Sequence, residues 1–263
     1  MKISIVTLSF NQAPYLREAI ESVLEQGYPE LEYIVVDPGS TDGSRELIQS
    51  YGNRISQTLF ERDRGAADGL NKGFARATGE IFGFLNSDDL LMPGSLERVA
   101  EFFSKNPKCD MAFGNGHVID GAGNKLRHYR ARGFTPIRYF YGGTQWLQQS
   151  TFFRAAAFRQ SPGFNINNRT SWDGELFVTM VSQGATPGYI DADLSGFRIY
   201  PGSISGSGSN QQQYQADCRR IFLEVQGRSW NMTDEVRRFL YRTEGFCIRL
   251  ASRLHKPALR GVA

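Results

Sequence analysis

Short apolar runs of strand length alternate with amphipathic stretches through the first part of the chain. The runs cover residues 2–8, 33–36, 55–60 and 81–86, and apolar positions at helical spacing follow them over 14–26, 44–51, 66–77 and 95–103. Four buried strands, each followed by a helix, predict an α/β fold with a mostly parallel sheet, right-handed crossovers and helices on both faces.

The pattern changes after residue 106. The stretches 111–118 and 125–130 flank Asp120-Gly121-Ala122-Gly123, which predicts a β-hairpin. We also expect a strand over 146–153, a helix over 173–182 and an extended segment over 189–199. A Gly/Ser-rich loop at 201–209 is the one candidate for a domain boundary in the sequence, and we expect this loop to be mobile. The sequence thus predicts one α/β domain over 1–205 and a helical extension over 206–263.

Three of the four predicted strands end in polar residues. They are Thr7, Ser9 and Asn11 after the first strand, Asp37 after the second, and Asn86, Asp88 and Asp89 after the fourth. In open α/β sheets, ligands bind at the carboxyl ends of the strands. Because these ends meet at one edge of a parallel sheet, we expect the polar side chains to converge on a ligand site.

The fourth strand carries the sharpest chemical signal, since its apolar run ends in Asn86-Ser87-Asp88-Asp89. Two adjacent carboxylates repel each other and raise each other's pKa unless a cation lies between them. A hard divalent cation that takes its remaining ligands from phosphate oxygens would suit such a pair. The alternative is a solvated turn that caps the next helix. Taken alone, this stretch leaves both interpretations open.

Composition disfavours several classes of protein. The three cysteines are far apart and fit neither a disulfide framework nor a zinc site, and the three histidines are scattered. No apolar run approaches the ~20 residues that span a bilayer, and the first residues lack the layout of a signal peptide. We therefore expect reduced thiols and a cytoplasmic location.

Charge is unevenly distributed along the chain. Residues 236–263 carry seven Lys or Arg and one Glu, a net +6, so the remaining residues sum to −3 within the total of +3. Apolar residues recur there at helical spacing: Val236, Phe239, Leu240, Phe246, Cys247, Leu250 and Leu254. One interpretation is an amphipathic helix on an anionic membrane surface. The other is a helix packed on the domain with a solvated basic face. No recognised nucleic-acid-binding motif accompanies the basic residues, so nucleic acid is not expected as a partner.

An ordered set of short motifs resembles family 2 glycosyltransferases, which have the GT-A fold. The resemblance covers roughly the first 120 residues, with looser similarity to about residue 205. The motifs are Ile5-Val6-Thr7-Leu8-Ser9-Phe10-Asn11, Val35-Val36-Asp37-Pro38-Gly39-Ser40-Thr41-Asp42-Gly43-Ser44, Arg64-Gly65 through Asp68 to Asn71-Lys72-Gly73, Ala77-Thr78-Gly79-Glu80, and Phe84-Leu85-Asn86-Ser87-Asp88-Asp89. Each motif is weak by itself, whereas their order and spacing together are specific.

The resemblance implies that residues 1–120 bind a nucleotide-sugar donor, with UDP-linked donors favoured. Thr7, Ser9 and Asn11 would lie against the nucleotide. Asp37 would accept a hydrogen bond from the base, and Asp68 would help to hold the base or the sugar.

The resemblance also implies a divalent cation, Mg²⁺ or Mn²⁺, at the donor diphosphate. Asn86, Ser87 and Asp88 stand where the family has an Asp-x-Asp motif. Asp88 would face the cation and the diphosphate, with Asp89 beside it as a second metal ligand. Asn86 replaces the commoner aspartate, so the amide could still bind a ribose hydroxyl while the metal site loses one charge.

The acceptor half would cover residues 121–205. Trp172-Asp173-Gly174-Glu175-Leu176-Phe177 looks like the family's acidic motif, in which the first acid is the general base. Asp173 would then remove the acceptor proton, with Glu175 in support. Partial burial would have to lift the pKa of that base from its reference value of ~3.9. The residues alone favour a different role, a helix cap with a lowered pKa.

Further acceptor-half positions follow from the same resemblance. Arg198 and Ser203 look like the segment that closes over the diphosphate, and Tyr200 stands where many relatives have histidine. Tyrosine is a poor neutral metal ligand, so this position departs from the family pattern. Trp146 and Gln149 either line the acceptor cleft or serve as a core aromatic and a strand-edge amide.

The function that these implications favour is an inverting transfer of a sugar from a nucleotide donor to a saccharide or lipid-linked saccharide in cell-surface polysaccharide synthesis. A sugar-nucleotide pyrophosphorylase needs a Gly-rich basic loop after its first strand, and a dinucleotide dehydrogenase needs Gly-x-Gly-x-x-Gly there. The chain instead has Ser9-Phe10-Asn11-Gln12, which disfavours both enzymes. A non-catalytic protein that binds nucleotide sugars or docks on a membrane is the alternative from another class.

Overall fold

The computed structural model describes residues 1–203 and 211–254, with 244–254 as helix backbone. The strands are β1 Ile3–Leu8, β2 Leu31–Val36, β3 Gln57–Leu59, β4 Ile81–Asn86, β5 Leu90–Leu91, β6 Met111–Ile119, β7 Lys125–Tyr129, β8 Thr151–Arg154 and β9 Pro187–Arg198. The helices are α1 Ala13–Leu24, α2 Ser44–Ser50, α3 Ala66–Arg76, α4 Ser95–Lys105, α5 Pro136–Tyr141, α6 Ala155–Gln160, α7 Trp172–Ser182, α8 Gln211–Gln226 and α9 Met232–Leu254. Short 3₁₀ turns lie at Gly52–Arg54 and Gln148–Ser150.

All nine strands join one sheet in the order β3-β2-β1-β4-β8-β6-β9-β5, with β7 paired to β6. The first four strands of this order are parallel, as predicted. β8 runs antiparallel to both β4 and β6, and β9 returns parallel to β6. The predicted α/β fold is therefore confirmed. Its parallel half is the half with helical crossovers. The second half is mixed, because β5, β7 and β8 run antiparallel to their neighbours while β9 is parallel to β6.

Helices cover both faces of the sheet. Ile3 and Ile5 of β1 pack in a core with α1, α2 and α4, while Val6 packs in a second core with α3 and α7. Burial on both faces explains why these strands are almost continuously apolar in the sequence. α3 lies especially close to the sheet, because a Cβ atom at Gly73 would come within 2.5 Å of a Val6 methyl carbon.

Three local features of the structure were not expected from the sequence. The strand expected from residue 146 begins only at Thr151, because Ser150 ends a 3₁₀ turn and its hydroxyl donates to the Asn115 carbonyl. The short helices α5 and α6 were not predicted, since six residues are too few to show a helical period. α9 continues through Gly245, although glycine is a poor helix former. Most of the predicted Gly/Ser loop lies outside the described residues, which resume at 211.

The C-terminal helices pack on the α/β domain. Ile221 and Phe222 of α8 are buried in the core that also contains Phe140 of α5. Tyr241 of α9 stacks on Tyr141, with ring centroids 5.6 Å apart. In the part of the chain that the structure describes, no helix combines the length and apolar character needed to cross a membrane.

Candidate active site

The ends of β1, β2 and β4 meet at one edge of the sheet. Leu8 is paired with Val36 on one side and with Asn86 on the other. The loops that follow are joined directly, since the Asn11 amide donates to the Ser40 hydroxyl over 2.8 Å and the Thr41 amide donates to the Asn11 side chain over 2.9 Å. The predicted convergence of polar strand ends is confirmed.

Asp37 is fully buried at the end of β2. One carboxylate oxygen, Oδ1, accepts hydrogen bonds from the amides of Gly39 and Ser40 at 3.0 and 2.8 Å and from Arg45 Nε at 3.1 Å. Burial alone would raise the pKa of Asp37, but these donors outweigh it and hold the pKa below its ordinary value. The second oxygen, Oδ2, is buried and has no partner among the described residues.

Two of the residues predicted to face the nucleotide, Thr7 in β1 and Ser9 directly after it, differ from each other. Thr7 is fully buried and its hydroxyl accepts a 3.0 Å hydrogen bond from Tyr33, so its side chain supports the sheet and offers no surface to a ligand. Its contact with a nucleotide stays a prediction. The Ser9 hydroxyl is also buried, yet it has no hydrogen-bond partner in the described part of the chain.

Asp68 lies on α3 among other charges. Its carboxylate accepts a 3.0 Å hydrogen bond from the Arg64 amide and lies 3.3 Å from Lys72 Nζ. Burial opposes the effect, but these donors lower the pKa of Asp68. Asp63, which was not predicted, has a raised pKa because of burial, and the charges of Asp68 and Asp37 add to that increase. Asp63 follows β3, so the same rule about polar strand ends would have found it.

The segment after β4 contains two adjacent carboxylates, those of Asp88 and Asp89. Asp89 is buried; its Oδ1 accepts from the Arg198 amide over 2.8 Å, and its Oδ2 lies 3.4 Å from Asn86 Nδ2. Ser87 is buried as well, with its amide bonded to the Leu8 carbonyl. Burial raises the pKa of Asp88, and burial together with the Asp88 charge raises the pKa of Asp89 further. The mutual effect of the two adjacent acids on the pKa agrees with the repulsion expected from the sequence.

Arg198 does not lie where the prediction placed it. Its side chain is fully buried and donates to the Asp88 carbonyl over 2.7 Å, the Gly121 carbonyl over 2.8 Å and Glu18 Oε2 over 2.6 Å. Its guanidinium lies 4.9 Å from the centre of the Tyr15 ring. Because its donors are used inside the fold, Arg198 supports the Asp88 loop from behind and is not placed to contact a diphosphate.

Tyr200 lies beside Asp88. Its hydroxyl donates to Asp88 Oδ2 over 3.1 Å and accepts from Gln12 Nε2 over 3.1 Å, while Gln12 Oε1 lies 3.2 Å away as an alternative acceptor. Burial and the nearby Asp88 charge raise the pKa of Tyr200 to about 12, although the Gln12 bond opposes this. Ser203 is buried and bonded to Tyr200, so it stabilises this turn. The departure from histidine therefore places a neutral hydrogen-bond donor against the carboxylate.

Asp173 lies in the first turn of α7, where Ser171 and not Asp173 is the N-cap residue. It is half-buried, and burial raises its pKa to about 6, although the Gly174 amide donates to Oδ1 over 2.8 Å. Its charge acts on Tyr139 and on Tyr214 of α8. A Cβ atom at Gly174 would collide with the Tyr139 hydroxyl, so the glycine lets that ring approach the first turn.

Glu175 has a different environment from Asp173. Its carboxylate forms a two-pronged ion pair with Arg220 of α8, at 2.8 and 2.6 Å, and accepts from Asn165 and Asn168. Burial opposes the effect, but these donors lower the pKa of Glu175. Glu175 thus joins α7 to α8 and supports Asp173 only through the position of the helix.

Of the two residues for which a place in the acceptor cleft was one alternative, Trp146 is half-buried and Gln149 is buried. Trp146 packs edge-on against Phe177 and Phe134, with ring centroids 5.1 and 6.1 Å away, which fits the core alternative. Gln149 is buried, and its Nε2 donor has no partner among the described residues. Neighbouring Gln148, which was not predicted, accepts from Asn86 over 3.2 Å and so reaches the donor side.

The family profile described as Glycosyl transferase family 2 matches residues 4–160, which include the whole converging edge of the sheet. This chain belongs to glycosyl transferase family 2. TuaG of Bacillus subtilis (strain 168), whose name provisionally assigns it to teichuronic acid biosynthesis, is 38% identical over 218 residues, or 78% of this chain and 82% of TuaG. An uncharacterized glycosyltransferase of Nostoc sp. (strain PCC 7120) is 37% identical over 131 residues, which are 46% of this chain and only 41% of that protein.

Solved structures of low sequence identity share the fold of this family member. S. aureus TarS superposes with a TM-score of 0.68 at 19% identity, over 89% of this chain and 41% of TarS. A complex of TarS 1–349 with UDP-GlcNAc gives 0.68 at 20% identity, over 85% and 67%. The mannosyltransferase PcManGT of Pyrobaculum calidifontis, solved with GDP-Man and Mn²⁺, gives 0.65 at 18% identity, over 89% and 66%. These likenesses confirm the predicted GT-A fold.

Proposed function

We propose that this chain transfers a sugar from a UDP-linked donor to a saccharide or lipid-linked saccharide, with inversion at the anomeric carbon. The observation that carries the proposal is a set of buried polar atoms without partners. Within residues 1–203 and 211–243, whose side chains the structure describes, there are four such side-chain atoms, and three belong to Ser9, Asp37 and Gln149. Unpaired buried polar atoms are rare in folded proteins. A ligand that reaches both halves of the site would supply the missing partners.

The chemistry of Asp37 suits recognition of a nucleotide base. Its lowered pKa keeps the carboxylate ionised at neutral pH, so that Oδ2 can only accept hydrogen bonds. A uracil ring offers one imide N–H donor, which matches one free acceptor. The crystal structures of the related TarS with UDP and UDP-GlcNAc make this donor class the first to test.

We propose that Asp88 holds a divalent cation at the donor diphosphate. The raised pKa values of Asp88 and Asp89 fit a loop in which a cation would stabilise the ionised forms. Asp89 has both oxygens engaged within the fold, so Asp88 is the better ligand and Asp89 positions it. No group of three or more His, Cys, Asp or Glu side chains suited to a metal ion occurs in the described ranges, so phosphate oxygens would complete the ligand set. When bound, the cation would neutralise the charge of the leaving diphosphate.

Asp173 is the residue that we assign as general base. Deprotonation of an acceptor hydroxyl requires a carboxylate whose pKa lies nearer to the working pH than ~3.9. Burial raises the pKa of Asp173 to about 6, which meets that condition. We assign donor binding to residues 1–120 and acceptor binding to 121–205 together with α8, whose Tyr214 lies near Asp173.

The decisive experiment measures thermal stability against nucleotides and nucleotide sugars, with and without Mn²⁺, and then sugar transfer with the donor that binds. A ligand that binds only the folded state stabilises it by about 2.7 kcal/mol at a hundred times Kd. We expect UDP with Mn²⁺ to raise the melting temperature, and Asp88→Ala to abolish the metal-dependent part. Glu97→Ala, which removes an exposed acid on α4, is the matched control. A folded wild-type sample that responds to no nucleotide would contradict the proposal.

A further inference from the structure

The face of α9 that points away from the domain is apolar. Met232, Val236, Phe239 and Leu240 are 79, 58, 67 and 57% exposed, which is unusual for large apolar side chains. Their spacing of four, three and one residues places them on one side of a helix. We call these four residues the apolar stripe of α9.

The opposite side of α9 is fixed to the domain, so the stripe cannot turn inward. Asp234 is buried and accepts hydrogen bonds from Tyr141 at 2.7 Å and from Arg228 at 2.6 and 2.8 Å. Tyr241, seven residues on, stacks against Tyr141 and contacts the backbone at Gly143. These two anchors lie about half a helical turn from the stripe. These anchors therefore fix α9 with its apolar stripe exposed at the surface.

Basic residues accompany the stripe, and the described acids of α9 are already paired. Arg237 and Arg242 are exposed on the same helix. Asp234 is engaged in the core, and Glu235 pairs with Arg219 at 3.1 Å and with the Trp230 indole at 2.9 Å. The charge of the chain is concentrated here, with +6 over residues 236–263 against −3 elsewhere.

We propose that α9 docks on an anionic lipid surface, with the stripe in the acyl boundary and the arginines at the headgroups. An exposed apolar stripe flanked by Arg is the pattern of helices that lie in a membrane interface. A second copy of the chain fits less well, because a two-fold contact through this face would bring the same arginines together. The stripe is also joined to the start of α7 through α5, since Tyr241 of α9 stacks on Tyr141 and Tyr139 of the same short helix lies against Gly174, next to Asp173. Docking would thus hold the acceptor side close to lipid headgroups.

The test is co-sedimentation of the full chain with vesicles of phosphatidylcholine alone or with about a third phosphatidylglycerol. We expect binding only to the anionic vesicles, weakening as salt is raised. The double variant Phe239→Ser with Leu240→Ser should lose at least about tenfold in vesicle affinity, and Arg242→Glu should lose about threefold. Leu126→Ser on β7 is the matched control, because Leu126 is 60% exposed on an element remote in sequence from α9.

Two further measurements distinguish docking on lipid from contact with a second copy of the chain. Circular dichroism and the response to UDP should be the same in the wild type and the double variant, which separates loss of docking from loss of fold or of donor binding. Light scattering reports self-association. Failure of the wild type to bind anionic vesicles would overturn the proposal, as would equal binding by the double variant. A dimer that dissociates in the double variant, without vesicle binding, would assign the stripe to a second copy.

Discussion

Asp37 on the donor side and Asp173 on the acceptor side are both withdrawn from solvent, yet their pKa values move in opposite directions. Asp37 is the more deeply buried, and its pKa is lowered because three donors converge on one of its oxygens. Asp173 is half-buried, and burial raises its pKa to about 6 because only backbone amides oppose it. Burial alone therefore does not set the charge of a carboxylate; the supply of donors does.

The two sides also differ in how the chain builds them. Asp37 receives its amide donors from Gly39 and Ser40, within three residues of the same loop. Asp173 is surrounded by groups distant in sequence, including Tyr139 of α5 and Tyr214 of α8. Asp37 is thus held largely by its own loop, whereas the surroundings of Asp173 depend on long-range packing.

The largest effect should come from Asp173→Asn. Loss of a general base lowers turnover by ~10²- to 10⁴-fold, and we expect UDP affinity to stay within about twofold because the donor edge is untouched. Steady-state kinetics combined with a UDP thermal shift would measure both. For the wild type, kcat/KM should fall about tenfold per pH unit below the pKa of about 6. Turnover within tenfold of the wild type in Asp173→Asn would remove the base assignment.

The second prediction concerns the free energy of unfolding, which should change in opposite directions in Asp173→Asn and Asp37→Asn. The raised pKa of Asp173 means that its ionised form costs stability, and the cost appears as pH rises through ~3.9 and is complete above about 6. Asp173→Asn should therefore stabilise the fold by ~2 kcal/mol at pH 8 and by almost nothing near pH 4.

The ionised form of Asp37 should stabilise the fold, whereas that of Asp173 destabilises it. Its lowered pKa contributes stability that is present above ~3.9 and is lost only as pH falls through the lower folded value. We expect Asp37→Asn to destabilise the fold by ~2 kcal/mol at pH 8 and by nearly as much at pH 4.5. Urea unfolding of both variants at the two pH values would check this, and a shared sign at pH 8 would contradict the comparison.

A third prediction tests the long-range construction of the acceptor side. Arg220→Ala leaves the buried Glu175 carboxylate without its ion-pair partner and should cost ~2 kcal/mol, less than a fully buried pair because Arg220 is about a third exposed. Glu224→Ala is the matched control, since Glu224 also pairs with Arg220 but is exposed. Its effect should stay within ~0.5 kcal/mol. Equal losses in denaturant unfolding would mean that the Glu175 pair does not hold α8.

The smallest effect should come from Tyr200→Phe. The variant removes the hydroxyl that donates to Asp88 Oδ2. In the wild type this hydrogen bond must break when donor and metal bind, whereas in the variant it is already absent. We expect about threefold tighter binding of UDP with Mn²⁺, which corresponds to one modest hydrogen bond. Isothermal titration would measure it, with Tyr15→Phe as the control because its ring lies against Tyr200. Weaker binding would instead indicate that the hydroxyl contacts the ligand.

Much of this protein could be predicted from the sequence alone. The apolar runs predicted the parallel strands β1, β2 and β4, and their polar ends predicted the converging edge that carries Ser9, Asp37 and Asp88. These features follow from local pattern and from the geometry of a parallel sheet, which places all strand ends on one side. The ordered motifs also identified the family correctly.

Tertiary structure decided which of those polar groups remain available. Thr7 and Arg198 form hydrogen bonds inside the fold, with Tyr33 and with the Asp88 loop, whereas Asp37 and Gln149 each keep a buried atom without a partner among the described residues. It also decided that Asp173 is half-buried with a raised pKa and that α9 turns its apolar side outward. A sequence pattern specifies which residues can bury or bond. Only the packing of segments distant in the chain determines which partners reach them, and therefore which charges and surfaces are left for a ligand.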